Sequence, residues 1–172
     1  QEMTSLVKEE ISHFKMVHDK IIARGWTLGR DRRDDYVIEL VKFFPKGGSR
    51  TTQLVHRLLY AALIEARSCE RFRLLSENIK DKELAKFYRD LMASEANHYT
   101  LFLNFARTFG ERKEVDKKWS DLLEYEADLM KNLHDSLDDT KKYRQEMATL
   151  SNNLTSLNTV YGNMLSAMNF KS

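Results

Sequence analysis

The chain has 172 residues, enough for one domain with a real core, and carries 28 Lys and Arg against 26 Asp and Glu, a formal net charge of +2. That balance does not by itself announce nucleic-acid binding. The single cysteine, Cys69, excludes an internal disulfide framework and suits a reducing compartment. No apolar run nears the roughly 20 residues a membrane helix needs. The opening Gln1-Glu2-Met3 lacks the basic and apolar segments of a signal peptide, so a cytoplasmic location without membrane insertion is expected.

One Pro and six Gly among many good helix formers predict an all-α fold. A first helix is expected over residues 4–24, with Thr4 as N-cap and Gly25 as its stop. A polar, basic turn region follows. A short amphipathic helix over residues 35–44 uses Val37, Leu40, Val41 and Phe44, and Pro45, Gly47 and Gly48 break it. Ser49 or Thr51 caps a long helix ending near Ile79. Asp81 opens another that stops at Gly110, and a further helix spans residues 115–133. The recurring Glu-x-x-His is the one internal repeat.

The phase of that repeat is informative. Residues three apart on a helix share a face, so Glu10 and His13, and likewise Glu95 and His98, each aim a carboxylate and an imidazole at one point. In the first helix the apolar stripe is Met3, Leu6, Val17 and Ile21, and Glu10 and His13 fill its gap. Glu95 and His98 fill the gap in the stripe Leu84, Tyr88, Leu91, Phe102 and Phe105. Glu65 falls on the inner face marked by Leu54, Leu58, Phe72 and Ile79. Five ionisable groups thus occupy positions that packing would give to Leu or Ile. A buried carboxylate costs several kcal/mol without a compensating partner, and a cation held by all five is one solution. Carboxylate oxygens with imidazole nitrogens suit iron or manganese. Two such pairs with further helical glutamates are the ligand set of a carboxylate-bridged di-iron centre in a helix bundle. Either pair alone is usually a solvated helix face, and a lone buried histidine is more often a hydrogen-bonded core residue; two pairs and a third glutamate in phase with apolar stripes favour the metal. No His-Glu-x-x-His zinc-protease motif, Gly-rich phosphate loop or nucleophile elbow is present.

The stretch Ile64-Glu65-Ala66-Arg67-Ser68-Cys69-Glu70-Arg71-Phe72 resembles the signature of the bacterial tRNA-(2-methylthio-N6-isopentenyladenosine) hydroxylases. So do Lys8-Glu9-Glu10-Ile11-Ser12-His13-Phe14, Ser94-Glu95-Ala96-Asn97-His98-Tyr99 and Glu126-Ala127-Asp128-Leu129, and the resemblance covers roughly residues 6–130. It implies a ferritin-like bundle holding two non-haem Fe ions. The implied ligands, through which the chemistry runs, are Glu10, His13, Glu65, Glu95 and His98. The implied reaction uses O2 and two electrons from an external reductase to hydroxylate the isopentenyl group of a modified adenosine beside the anticodon, in the tRNA anticodon stem-loop. The family pattern also has an earlier helix carrying a sixth ligand, a glutamate. The sequence begins after it, so an activity impaired by one lost ligand is an expectation. A ferritin-like oxidase without tRNA, or a non-catalytic helical assembly module, are the alternatives.

From about Asp138 the hydroxylase pattern ends. The run from Leu150 to Asn158 and from Tyr161 to Met168 resembles the end of a gliding-motility and type IX secretion motor subunit. Two parts are therefore expected: a bundle over residues 1–133, and a tail over 134–172. In the tail Tyr143, Met147, Leu150, Leu154, Leu157, Tyr161, Met164 and Met168 alternate steps of four and three, a heptad seam. Such a seam needs cover, either by folding back onto the bundle, the arrangement bundle logic favours, or by self-association. Gly162 weakens this helix by about 1 kcal/mol relative to Ala. Glu146 flanks the seam, as a solvated residue or as a stand-in for the sixth ligand. Near the short helix, Arg24, Arg30, Arg32, Arg33, Lys42, Lys46 and Arg50, with Trp26, read either as a tRNA-docking edge or as a solvated loop diluted by Asp31, Asp34 and Asp35. Cys69 reads as packing. Arg67, Glu70 and Arg71 read as supports for the site or as surface pairs. Tyr88 and Tyr99 line the site or fill the core.

Overall fold

The computed structural model describes residues 1–30 and 33–169, with side chains described as far as residue 159. The described residues form five α-helices and no strand: α1 (Glu2–Ala23), α2 (Asp35–Val41), α3 (Arg50–Asn78), α4 (Lys82–Phe109) and α5 (Arg112–Asn169). The chain divides into two units, Gln1–Leu123 and Glu124–Ser172.

The helix ends are written in short polar signals. Ser49 accepts a hydrogen bond from the Thr52 N–H at 3.0 Å and opens α3. Asp81 opens α4, accepting from the N–H groups of Glu83 and Leu84 at 2.9 and 3.1 Å. These caps satisfy amides that have no partner inside the helix. At the end of α1 the Trp26 N–H reaches the Ile21 carbonyl at 3.1 Å and the Gly25 N–H the Ile22 carbonyl at 2.9 Å. This is a Schellman closure, and Gly25 supplies the left-handed φ of 71° it needs.

Three sequence expectations are corrected. Thr4 does not cap α1: its own N–H already donates to the Gln1 carbonyl at 3.1 Å, so it lies inside the first turn and Gln1 is the cap. The short helix ends at Val41 rather than Phe44. Phe43 and Phe44 make tighter three-residue bonds to Leu40 and Val41, and Pro45 disfavours helical geometry in the residue before it. No helix ends at Leu133. Nothing between Arg112 and Gly162 breaks the ladder, so α5 runs for 58 residues.

In the first unit α3 and α4 pack antiparallel. Leu58, Leu59, Ala62 and Leu63 of α3 are buried, as are Leu91, Phe102, Leu103 and Ala106 of α4. Each large apolar side chain buried this way stabilises the fold by roughly 1.5–3 kcal/mol. Val55 of α3, Leu40 of α2, Val115 and Leu122 of α5, and Leu6 of α1 complete the core. The α1 helix runs antiparallel to α4. Lys20 pairs with Glu83 at 2.6 Å and lies 4.8 Å from the centre of the Phe87 ring, and Arg24 meets Asp81 at 3.3 Å. Leu6 is the one buried residue of α1, and the expected inward positions Met3 and Val17 are exposed, as is Leu54 of α3. Val7, Ile11, Phe14 and Ile22 add further exposed apolar surface to α1.

In the second unit every described side chain from residue 134 to 159 is exposed, including Tyr143, Met147, Leu150, Leu154 and Leu157 of the seam. The helix continues through Gly162. The side chains of Tyr161, Met164 and Met168 lie outside the described residues.

Candidate metal centre

Because α1 and α4 run antiparallel, the two Glu-x-x-His pairs face each other. Glu10, His13, Glu95 and His98 each offer a ligand atom, and these atoms lie within 4.8 Å of one another. His98 Nδ1 is 2.8 Å from Glu10 Oε1. His13 Nδ1 is 3.5 Å from the same oxygen and 3.4 Å from Glu95 Oε1. The imidazole centres are 5.8 Å apart.

These approaches are close without being hydrogen bonds. Glu10 Oε1, His13 Nδ1 and His98 Nδ1 are buried and have no hydrogen-bond partner among the described residues. An orphaned buried polar atom costs about 1–3 kcal/mol, and here three of them point at one place. Carboxylate oxygens and imidazole nitrogens so arranged are a donor set for a metal ion of the iron or manganese type. The α4 side is sealed, with the side chains of Glu95 and His98 only 7% and 4% exposed. The α1 side is more open, at 15% for His13 and 42% for Glu10. The two sides of the site therefore differ in their access to solvent, the α1 side being the wetter.

Glu65 of α3 stands beside this group of four and not within it. Burial, a hydrogen bond with Glu95, and the negative charges of Glu95 and Glu10 push its carboxyl from the ordinary 4.5 to about 9. Three carboxyl groups crowd one region, and without a cation the cheapest relief is a proton on Glu65. Burial, then the charge of Glu95, also pushes the Cys69 thiol up.

Spacing missed Glu9. Its Oε2 lies 3.1 Å from His98 Nε2, on the side of the ring away from Glu10, and this hydrogen bond holds its carboxyl below the usual range. Only the facing of α1 against α4 places it there. The remaining expected residues divide as follows. Arg67 pairs with Glu70 along α3, and Tyr99 packs its ring against Trp119, with centres 5.8 Å apart. Tyr88 stacks on Phe72. Among the basic residues, Arg24 meets Asp81, Arg33 meets Asp35 and Lys42 meets Glu39, while Arg30, Lys46 and Arg50 are exposed. Arg32 and Asp31 lie outside the described residues. Among the described residues no helix is long and apolar enough to cross a membrane.

The family model of tRNA-(MS[2]IO[6]A)-hydroxylase (MiaE) matches residues 1–138. The chain belongs to the MiaE family. The match ends where the hydroxylase-like pattern of the sequence ends. Among curated MiaE relatives, the tRNA 2-(methylsulfanyl)-N(6)-isopentenyladenosine(37) hydroxylase of Pseudomonas putida is 34% identical over 113 residues, which cover 66% of this chain and 54% of the relative. The Salmonella typhimurium enzyme of the same name is 34% identical over 128 residues, 74% of this chain and 46% of the relative. The chain thus spans about half the length of the curated relatives it matches. A solved structure described as protein 43 with aldehyde deformylating oxygenase activity, from Synechococcus, superposes with a TM-score of 0.68 at 33% identity, covering 73% of this chain and 62% of that one. The all-α fold is a ferritin-like bundle.

The raised Glu65 carboxyl carries a sign that can be measured. Its folded pKa lies above its unfolded value, so the folded state holds a proton that the unfolded state releases. The stability this gives is complete below about pH 4.5 and is lost as pH rises towards about 9. The melting temperature of metal-free protein should fall across that window, and Glu65→Gln should flatten the fall. A slope unchanged by Glu65→Gln would place the titration elsewhere.

Proposed function

We propose that this chain forms the metal-binding bundle of a non-haem di-iron monooxygenase that hydroxylates the isopentenyl group of a hypermodified adenosine beside the tRNA anticodon. The observation that carries the reading is the convergence of Glu10, His13, Glu95 and His98 with three of their atoms buried and unpartnered. The MiaE relatives are named as tRNA 2-(methylsulfanyl)-N(6)-isopentenyladenosine(37) hydroxylases, which supports the choice of substrate. The reaction takes O2, two electrons and two protons, inserts one oxygen atom into a C–H bond and releases the other as water. An external reductase supplies the electrons, since the sequence holds no nicotinamide or flavin motif.

In this reading Glu10, His13, Glu95 and His98 would hold two iron ions, and Glu65 would add a further carboxylate. The iron supplies the O2 activation that no protein side chain can perform. The chain's own residues do the rest. Glu10, Glu95 and Glu65 offset the cationic charge, and the walls of α3 and α4 exclude water on their side of the site. One helical turn from His13, a cavity of about 300 Å³ opens between α1, α3 and α4, lined by Val17, Ile21, Phe72, Leu84, Phe87 and Tyr88. It is apolar enough to take a prenyl group. Lys20, Arg24 and Trp26 border it, two cations and a ring suited to phosphate and to an unstacked base. The exposed cations Arg30, Arg33, Lys42, Lys46 and Arg50 offer further phosphate contacts for an anticodon stem-loop. A cytoplasmic location follows from such a substrate.

A second reading, a ferritin-like oxidase that does not use tRNA, is favoured by the activity named for the Synechococcus structure. The deciding experiment incubates iron-loaded protein with O2, a chemical reductant and tRNA bearing the modified adenosine, then weighs the released nucleosides. The proposal expects a gain of one oxygen atom, reduced at least 100-fold by Glu95→Ala. Iron-dependent O2 consumption that tRNA neither stimulates nor competes for would favour the second reading.

The exposed seam on α5 supports self-association through the tail. Sedimentation should then rise with concentration, and Leu154→Asp should abolish the rise. A concentration-independent monomer would remove this part of the proposal.

A further inference from the structure

His98 is the most enclosed member of the cluster, and its two ring nitrogens have different surroundings. Nδ1 faces inward, 2.8 Å from Glu10 Oε1, buried and without a hydrogen-bond partner. Nε2 faces the other way, 3.1 Å from Glu9 Oε2. Glu9 and Glu10 are neighbours on α1, so their side chains leave the helix about 100° apart. One carboxylate therefore meets the outer nitrogen while the other meets the inner one.

An ionised carboxylate accepts hydrogen bonds and donates none. Neutral imidazole carries one proton. If Nε2 donates to Glu9, that proton is spent there, and Nδ1 presents a bare lone pair to the centre. A metal needs that tautomer from a nitrogen facing inward. Glu9 stands apart from the four converging groups and its side chain is 51% exposed. Ser5, one turn earlier on α1, donates to its other oxygen at 3.4 Å, which steadies the carboxylate from the solvent side. At His13 it is Nδ1 that lies near the carboxylates of Glu10 and Glu95, at 3.5 and 3.4 Å.

The geometry points to Glu9 as a positioning residue that fixes the tautomer and ring orientation of His98, so that Nδ1 is delivered to the metal centre. Its use in catalysis rests on the di-iron reading above, whereas the tautomer itself is a property of the metal-free protein. Outer carboxylates of this kind change metal affinity by about 10–100-fold when removed.

The test uses the full 172-residue chain and two readouts. In metal-free, nitrogen-15-labelled protein, at a pH where the imidazole is neutral, His98 should show one Nε2-bound proton protected from solvent exchange. Glu9→Gln, whose amide oxygen still accepts, should keep it, and Glu9→Ala should lose the protection. Titration with Co(II), a visible probe for an oxygen- and nitrogen-ligated ferrous site, should then give about 10–100-fold weaker binding for Glu9→Ala and a change of only a few-fold for Glu9→Gln. Because Glu9 lies at the surface, both variants should match the parent in helix content. A proton on Nδ1 in the parent, or unchanged exchange and affinity in Glu9→Ala, would overturn the inference. Equal weakening by Gln and Ala would overturn it as well, since Glu9 would then act through its charge as a ligand. If the parent binds no Co(II) at all, the di-iron reading fails, and the proton signal still decides the role of Glu9.

Discussion

Crowding of like groups in a poorly solvated space is the constraint on which this molecule turns. Carboxylate and imidazole atoms from two helices come within 4.8 Å of each other, and three buried atoms among them are left without hydrogen bonds. Apolar side chains in the same four positions would pack at no such cost. A chain that keeps the polar groups carries a site that is unfavourable until something positive enters it. The rise of the Glu65 carboxyl shows the same pressure from a third helix. A proton gives partial relief, and a multivalent cation gives more.

The scaffold delivers that arrangement with few devices. The caps Ser49 and Asp81 fix where α3 and α4 begin, and the Schellman closure at Gly25 fixes where α1 ends. With α3 and α4 locked by Leu59, Leu63, Leu91 and Leu103, Glu95 and His98 are held in the sealed wall. The α1 helix has Leu6 as its one buried anchor, and polar links to α4 do much of the aligning. Exposed ion pairs such as Lys20 with Glu83 are worth only about 0–1 kcal/mol each. The α1 half of the centre is therefore the less firmly held half, and a bound cation would join it to the rest.

Much of this was legible in the residues. The Glu-x-x-His pairs fill gaps in apolar stripes, and helical periodicity alone puts each pair on one face. Gly25, Ser49, Asp81 and Gly110 mark helix ends because their conformations or side chains suit those positions. Two things were not legible. Whether the apolar positions of α1 would be covered depends on neighbours, and Met3 and Val17 stand exposed. The part of Glu9 depends on how two helices face each other to join residues 89 apart in sequence, which no local pattern encodes. The length of α5 is hidden for a different reason. A change in sequence character near Asp138 is not a break in the backbone, and the residues there are ordinary helix formers that let α5 run on.

The central claim is that cations occupy the space between α1 and α4. Crystals of the protein grown with ferrous iron and measured on both sides of the iron absorption edge test it most directly. Anomalous density is expected for two ions among Glu10, His13, Glu95 and His98, with Glu65 turned towards them. An iron-free cavity, with His13 and His98 hydrogen-bonded to ordered water or to the carboxylates, would contradict it.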